Sequence, residues 1–259
     1  MDAQLAAGII RKSKSEWSSP IRVVDKPGGG VRICVDYGQI NKIIKGDNYP
    51  LPSVEDLYNK LAQADLFTKI DMKAAYHQIP VEESTIAILA FLCEFGLYEY
   101  LSMPMGIKTA PAWFQRFIEE TLRMYIDRGV LRVYLDNTII FTNTIKYGIL
   151  MHESTVLEII QTLKESFLKI SMDKSVPIAT NLPILGHLIS KNKIEPNPER
   201  AQCLLNQKKP ENVKELQSWL GVTSYYRKFI DNYAEIAKPF MILWYLKMYR
   251  RSLGRKMEQ

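Results

Sequence analysis

The sequence predicts an α+β fold built on a ferredoxin-like antiparallel sheet with helices on one face, and three observations carry that prediction. A strand-like run, Phe67-Thr68-Lys69-Ile70, ends at Asp71. Two β-forming runs, 130–135 and 138–141, flank the polar pair Asp136-Asn137, which tolerates the positive φ of a tight turn, so the segment reads as a β-hairpin. Amphipathic helical patterns precede and follow that hairpin. Strand, helix, hairpin, helix, strand is the order of a split βαβ sheet, in which the Asp71 strand and the Asp136 hairpin are neighbours. Two carboxylates so placed can hold magnesium.

The remaining elements follow in order. Residues 3–10 read as a short helix, and a Ser-rich extended stretch leads to Ser18-Ser19-Pro20. Two β-forming runs, 21–24 and 31–35, are joined by Asp25-Lys26-Pro27-Gly28-Gly29-Gly30, a hairpin whose glycine-rich tip suits either a plain turn or a backbone approach to phosphate. Ser53 caps a helix with Asp56 three residues on and Leu57, Leu61 and Ala64 at helical spacing. Pro111 opens a helix whose stripe of Phe114, Phe117, Ile118, Leu122, Tyr125 and Ile126 is core architecture, with Gly129 just beyond its end. Val156, Ile159, Ile160, Leu163 and Phe167 mark a second helix. The Pro- and Lys-rich passage 195–210 reads as a boundary or hinge. After it Asn212 and Glu215 form a capping box, and Val213, Leu216, Trp219, Leu220, Thr223, Tyr226 and Phe229 repeat at helical spacing in a separate small unit. The last twenty residues are aromatic, then basic.

Composition narrows the function classes. A chain of 259 residues, 47% hydrophobic and 24% charged, is ordinary globular protein. A net charge of +6 mildly favours a polyanionic partner. Cys34, Cys93 and Cys203 suggest neither a disulfide framework nor a zinc knuckle, so a reducing compartment fits best. His77, His152 and His187 lack zinc spacing and a serine or cysteine partner, and read as structural or exposed. Walker-type and dinucleotide-binding fingerprints are absent. There is no signal-peptide pattern and no apolar run near the roughly 20 residues of a membrane span, so an intracellular location without membrane contact is expected.

An ordered series of short motifs says more. It comprises Gly8-Ile9-Ile10-Arg11 with Ser19-Pro20, RICVDY at 32–37 with Asn41-Lys42, DNYPLP at 47–52, and KIDMK at 69–73 with Tyr76-His77-Gln78-Ile79. It continues with YEYLSMPMG at 98–106, APAWFQRF at 110–117, the Asp136 hairpin, Leu185-Gly186-His187 and NVKELQSWLGVTSYYRKFI at 212–230. From about residue 5 to 240 the chain resembles the reverse transcriptases of gypsy-type long-terminal-repeat retrotransposons and their retroviral relatives. The resemblance implies a right-hand polymerase fold: residues 1–110 as fingers interleaved with palm, the Asp71 strand belonging to the palm, 111–195 as palm, 196–240 as a small helical thumb, and 241–259 as a divergent basic tail. It implies an RNA-directed DNA polymerase core of a Pol polyprotein, acting in the cytoplasm or in virus-like particles. Its partners would be an RNA or DNA template with primer, deoxynucleoside triphosphates, and the protease, ribonuclease H and integrase segments of such a polyprotein.

The resemblance also assigns residues. Lys26 and Arg32 match basic fingertip positions that contact the triphosphate, though alone each reads as a solvated surface cation. Tyr76 matches an aromatic gate against a ribose 2′-hydroxyl, though alone it reads as a core-facing tyrosine. Met105 belongs to the segment that shapes the nucleotide pocket. Gln217, Gly221 and Tyr225 share one helix face and match a track along the duplex minor groove, while the residues alone suggest a face packed on a neighbouring helix. Asp71 and Asp136 match the catalytic ligands of two magnesium ions, for which manganese could substitute. The family has a third carboxylate directly after Asp136; this chain has Asn137.

Asparagine keeps the size and turn propensity of aspartate while removing a charge. The expected loss is about 2 to 4 kcal/mol of transition-state stabilisation, or roughly 10²- to 10³-fold in rate. Gly38, Ile88, Thr109, Ser175 and Pro177 also depart from the family pattern, and Pro177 is expected to weaken its strand. No upstream fingers sequence and no connection or ribonuclease H sequence is present, so the expectation is a truncated, partly decayed copy of such an element. The alternative is a remnant that binds template-primer without catalysis.

Overall fold

The computed structural model describes residues 1–25 and 29–257, without the side chains of 246–257. Lys26 and the basic side chains of the tail therefore lie outside the described residues. In chain order the elements are α1 (Asp2–Ala6), β1 (Ile10–Lys12), β2 (Ser19–Asp25), β3 (Val31–Val35), α2 (Ile40–Ile43), α3 (Val54–Leu61) and β4 (Leu66–Met72). After a 3₁₀ turn at Ala75–Gln78 come α4 (Glu83–Ile86), β5 (Ala90–Cys93), β6 (Gly96–Tyr100), α5 (Ala110–Thr121), α6 (Arg123–Asp127), β7 (Leu131–Tyr134) and β8 (Asn137–Thr142). Then follow α7 (Thr144–Tyr147), α8 (Ile149–Glu165), β9 (Ile170–Ala179), β10 (Asn181–Ile184), β11 (His187–Ser190), β12 (Lys193–Pro196), α9 (Pro198–Leu205), α10 (Val213–Tyr225) and α11 (Tyr233–Met257). The chain divides into two compact units, Met1–Leu182 and Pro183–Gln259.

The first unit is organised by two sheets. The four-stranded sheet has the order β7-β8-β4-β9, all antiparallel, as the strand, helix, hairpin, helix, strand pattern requires. Central β4 is buried along most of its length, so both of its faces are covered. One core joins Ile70, Met72, Leu131 and Val133 of this sheet to Phe114 and Ile118 of α5, Tyr125 of α6 and Ile159 and Leu163 of α8. The second sheet has the order β1-β6-β5-β2-β3. Its core gathers Ile10, Val35, Tyr37, Phe91, Tyr98 and Tyr100. Tyr76 and Met103 pack against both cores and mark the seam between them. Among the described residues the β2–β3 hairpin is joined to the rest of its sheet by two parallel pairs, Ser19 with Phe91 and Pro20 with Leu92. Beyond that attachment Val23, Val24 and Val31 are exposed.

Several expectations need correction. The initial helix ends at Ala6, because Gly8 at φ +66° turns the chain and Ile10 enters the sheet opposite Tyr100. The helix opened by Pro111 is two helices broken at Leu122, where the Thr121 hydroxyl donates to the Phe117 carbonyl at 2.8 Å and competes with the helical ladder. Phe167 lies past the end of α8, at φ +58° and 90% exposed, so the helical stripe ends with Leu163. Pro177 does not interrupt β9. It is tolerated on an edge strand, whose pairing with β4 shifts register twice.

The second unit carries β11, β12 and the helices α9, α10 and α11, and the division at Leu182–Pro183 falls within β10. The passage 195–210 contains α9, capped by Asn197. Asn212 caps α10 by accepting from the Glu215 amide at 3.0 Å, while Glu215 reaches back to the Glu211 amide at 2.9 Å, one residue before the Asn212 amide that a capping box engages. His187 is buried among the rings of Tyr225, Tyr226 and Phe229. No described helix is long and apolar enough to cross a membrane.

Buried histidines brace both units. His152 of α8 is fully buried and bridges Thr68 of β4 and Thr142 of β8, each at 2.9 Å, which fixes α8 on the sheet. Burial lowers the pKa of His77, His152 and His187 below the ordinary 6.5. A depressed pKa means weaker proton binding when folded than when unfolded. The stability linked to these rings is therefore complete above pH 6.5 and is lost as pH falls below it. The unfolding midpoint should drop as pH is lowered from 7.5 to about 5 by thermal denaturation, and His152→Gln, which cannot titrate, should flatten that slope.

Candidate active site

Asp71 is the penultimate residue of β4, and the register that pairs Leu66 with Thr142 places Asp71 directly opposite Asn137. Asn137 also pairs with Tyr134, so the two-residue turn is Leu135-Asp136, one position earlier than the Asp136-Asn137 turn expected from the sequence. Leu135 adopts φ +53°, a conformation a bulky side chain rarely takes. The buried amide of Gln115 on α5 holds it there. Its Oε1 accepts from the Leu135 amide at 2.7 Å, and its Nε2 donates to the Val133 carbonyl at 3.0 Å and to Glu119 at 2.6 Å. The Asp136 carbonyl accepts from the Met72 amide at 3.2 Å, tying the turn to the end of β4.

Asp71 is fixed from the other side by β9. The Ser175 hydroxyl accepts from the Asp71 amide at 3.1 Å and donates to the Ser171 carbonyl at 2.7 Å, filling a gap in the ladder where the register shifts. After Met72 the chain reverses through Ala74 at φ +50° into the 3₁₀ turn that carries Tyr76. Gln78 ties this turn to the carbonyls of Lys73 and Lys169 at 2.7 and 2.9 Å. The Tyr76 ring, half-buried, lies against Phe114 with centroids 5.5 Å apart.

The electrostatics follow from this placement. Asp71 has a raised pKa, first from burial and then from the nearby Asp136 carboxylate, with Lys174 and Lys69 pulling the other way. Asp136 also pushes the Tyr76 hydroxyl up, after burial. Asn137 donates its Nδ2 to Asp136 Oδ1 at 3.2 Å, a contact that a carboxylate at 137 would turn into repulsion. Among the described residues no group of three or more histidine, cysteine, aspartate or glutamate side chains is arranged to hold a metal. Two neighbouring carboxylates with hard oxygens still fit a divalent cation such as magnesium, with one anionic donor fewer than three carboxylates would offer.

The other residues singled out from sequence lie on other elements. Arg32 is exposed on β3, opposite Val24. Met105 is 44% exposed beside Gly106, whose φ of +98° and 3.1 Å approach to the Val35 carbonyl leave no room for a side chain. Asn41 latches that loop through the Gly106 carbonyl at 2.8 Å and the Lys108 amide at 2.9 Å. Gly38 donates its amide to Asp36 at 3.0 Å, and Asp36 is paired with Arg22. Gln217, Gly221 and Tyr225 are exposed on α10 in the second unit, with open space where a Gly221 side chain would stand. The Tyr225 hydroxyl donates to the Leu185 carbonyl. Gln115 and Ser175 had no role assigned from sequence. A polar residue one turn before Ile118 and Leu122, on the apolar stripe, is the signal that marks Gln115.

The chain is similar to known proteins. Residues 24–189 match the family described as reverse transcriptase (RNA-dependent DNA polymerase). The chain is 37% identical over 240 residues to the Retrovirus-related Pol polyprotein from transposon 297 of Drosophila melanogaster, covering 91% of this chain and 22% of that protein. It is also 37% identical over 235 residues to the Transposon Tf2-3 polyprotein of Schizosaccharomyces pombe, covering 91% of this chain and 17% of that one. It thus spans about a fifth of the length of these curated relatives. Among solved structures, the foamy viral protease-reverse transcriptase in complex with RNA/DNA hybrid superposes with a TM-score of 0.86 at 25% identity, over 95% of this chain and 32% of that one. The same viral protein in complex with dsDNA gives 0.84 at 26% identity, over 93% and 49%.

Two outcomes test the site's construction. Gln115→Met leaves the Leu135 amide and the Val133 carbonyl without their partner and should cost about 1 to 3 kcal/mol in urea denaturation. Asp71→Asn removes a carboxylate whose pKa is raised on folding and whose ionised form therefore opposes folding. It should raise the metal-free melting temperature at pH 7, with the gain fading as pH falls towards the ordinary carboxylate value of 3.8 and absent below it.

Proposed function

This chain belongs to the reverse transcriptase (RNA-dependent DNA polymerase) family, and we propose that it is the polymerase region of a gypsy-type retrotransposon Pol polyprotein, extending a primer 3′-hydroxyl at the Asp71–Asp136 pair. The observation that carries this reading is the register that sets Asp71 beside the Asp136 turn, with mutual repulsion awaiting a cation. Asp71 and Asp136 would hold two magnesium ions. When bound, these supply Lewis-acid activation of the hydroxyl and charge neutralisation at the departing pyrophosphate. The new bond joins the primer 3′-oxygen to the α-phosphorus, the bond from that phosphorus to pyrophosphate breaks, and the hydroxyl proton leaves to solvent.

The chain's own residues position and select. Gln115 and Ser175 preorganise the two carboxylates, so neither must reorganise as charge develops. Tyr76, braced by Phe114, limits space beside the sugar and favours deoxynucleoside triphosphates. Arg32 on β3 and, by its place in the sequence, Lys26 neutralise triphosphate charge, and Met105 borders the nucleotide. Gln217, Gly221 and Tyr225 form an open helix face suited to a duplex minor groove. The complexes of the foamy viral protein with dsDNA and with RNA/DNA hybrid support a template-primer as partner. In this reading 1–110 are fingers interleaved with palm, 111–195 palm and 196–240 thumb.

Asn137 lowers the activity of this site without altering its shape. Its hydrogen bond to Asp136 also favours a second reading, a protein that binds template-primer without extending it. Primer extension in magnesium decides between them. Asn137→Asp should raise the rate roughly 10²- to 10³-fold, and Asp71→Asn should abolish it. Salt-sensitive binding with no incorporation by either protein, in magnesium or manganese, would select the binding-only reading.

A further inference from the structure

At the end of the four-stranded sheet remote from Asp71 lies a cavity of 500 Å³ whose walls carry four cations and no carboxylate. Lys60 comes from the last turn of α3, Arg128 from the end of α6, Arg132 from β7 and Lys146 from α7. Phe141 and Tyr147 complete the lining. The register places Thr142 of the lining opposite Leu66, five residue steps or about 17 Å along β4 from Asp71, and the Arg132 backbone at the level of Lys69, two steps from Asp71.

The cations are poorly neutralised. Arg128 is ion-paired with Glu158 at 2.8 Å, outside the lining. Arg132 spends Nη1 on the carbonyls of Ile126 and Leu131, at 3.3 and 2.7 Å, and makes no ion pair among the described residues. Its pKa lies below the ordinary arginine value because burial is only partly offset by Glu119, which is itself engaged by Tyr49 and Gln115. Lys60 and Lys146 likewise have no carboxylate partner among the described residues. Part of this charge serves the helix ends, since Ile126 is a terminal carbonyl of α6. That role accounts for one donor of Arg132, and Lys60 and Lys146, in the last turns of α3 and α7, face helix C-termini without a carboxylate partner among the described residues.

Aromatic rings alternate with these charges. The Arg132 guanidinium stands 6.0 Å from the Phe141 ring centre, the Lys146 ammonium 4.8 Å from that of Tyr147, and Tyr147 is 45% exposed. Cations interleaved with an accessible ring suit a phosphodiester strand whose base stacks on the ring, and an acidic peptide would leave that ring unused. We propose that this cavity is a second nucleic-acid site that takes a single strand through Lys60, Arg132, Lys146 and Tyr147. It is separate from the carboxylate pair and does not require the chain to be catalytically active.

The test uses the full chain saturated with a short blunt template-primer duplex, so that a labelled single-stranded RNA of about twelve nucleotides reports any second site by fluorescence anisotropy. The unmodified chain should bind the strand with an affinity that falls steeply with salt. Lys60→Glu combined with Lys146→Glu should weaken it at least about tenfold and flatten the salt slope by about 2, with duplex binding and melting temperature unchanged. The neutral pair Lys60→Gln and Lys146→Gln should weaken strand binding in the same direction, which separates lost cations from misfolding caused by added carboxylates. Absence of second-strand binding, equal binding by all three proteins, or displacement of the strand equally well by inorganic phosphate or polyglutamate at matched charge would overturn the proposal.

Discussion

The position of β4 between β8 and β9 is the constraint on which the site rests. Side chains alternate along a strand, so a slip of one residue against β8 would send Asp71 into the core and Ile70 to the surface. The pairing resists that slip because Phe67, Ile70 and Met72 are buried and His152 bridges Thr68 to Thr142 across the two strands. A histidine on α8 thus secures, from the far end of the sheet, the alignment of two carboxylates it does not touch.

The fold was legible in the sequence where periodicity was strong. The strand ending at Asp71, the Asp136 hairpin, the helix opened by Pro111, the Ser53 cap and the Asn212 capping box all follow from spacing and cap chemistry. What sequence reasoning missed were places where tertiary contacts override local preference. Asp136 and Asn137 are the better turn formers, yet the turn falls on Leu135 and Asp136 because Leu131 and Val133 must face the core and Gln115 secures the Leu135 amide. Leu122 breaks a helix that its apolar stripe would continue, and Phe167 continues a stripe whose helix has ended. The pair Asp71 and Asp136 was visible as two candidate ligands. Their support was not, because Gln115 and Ser175 act through backbone groups that no motif records.

Asn137 serves the folded turn, and in the proposed reaction the same residue would oppose the chemistry. In the metal-free protein its amide satisfies one oxygen of Asp136 and adds no third negative charge beside a carboxylate already raised by burial. Chemistry at this site asks for the reverse, anionic oxygens concentrated where cations can bind. A substitution of this kind persists without penalty to the architecture, since it keeps the pairing with Tyr134 and Asp71.

The β2–β3 hairpin, paired among the described residues to the rest of its sheet at Ser19 and Pro20 and packed on the core through Ile21 and Val35, is mechanically a cantilever. Five residues extend from Pro20 to Asp25, a length of about 17 Å, so a pivot of about 10° at Pro20 would sweep the end of β2 through about 3 Å. The two strands of the arm are paired to each other over five residues, from Ile21 with Val35 to Asp25 with Val31, which makes the arm stiffer than its anchorage. Arg32 therefore rides on a lever whose compliance is concentrated at its root, and the position of its charge is set more by the Ser19–Pro20 clamp than by its immediate neighbours.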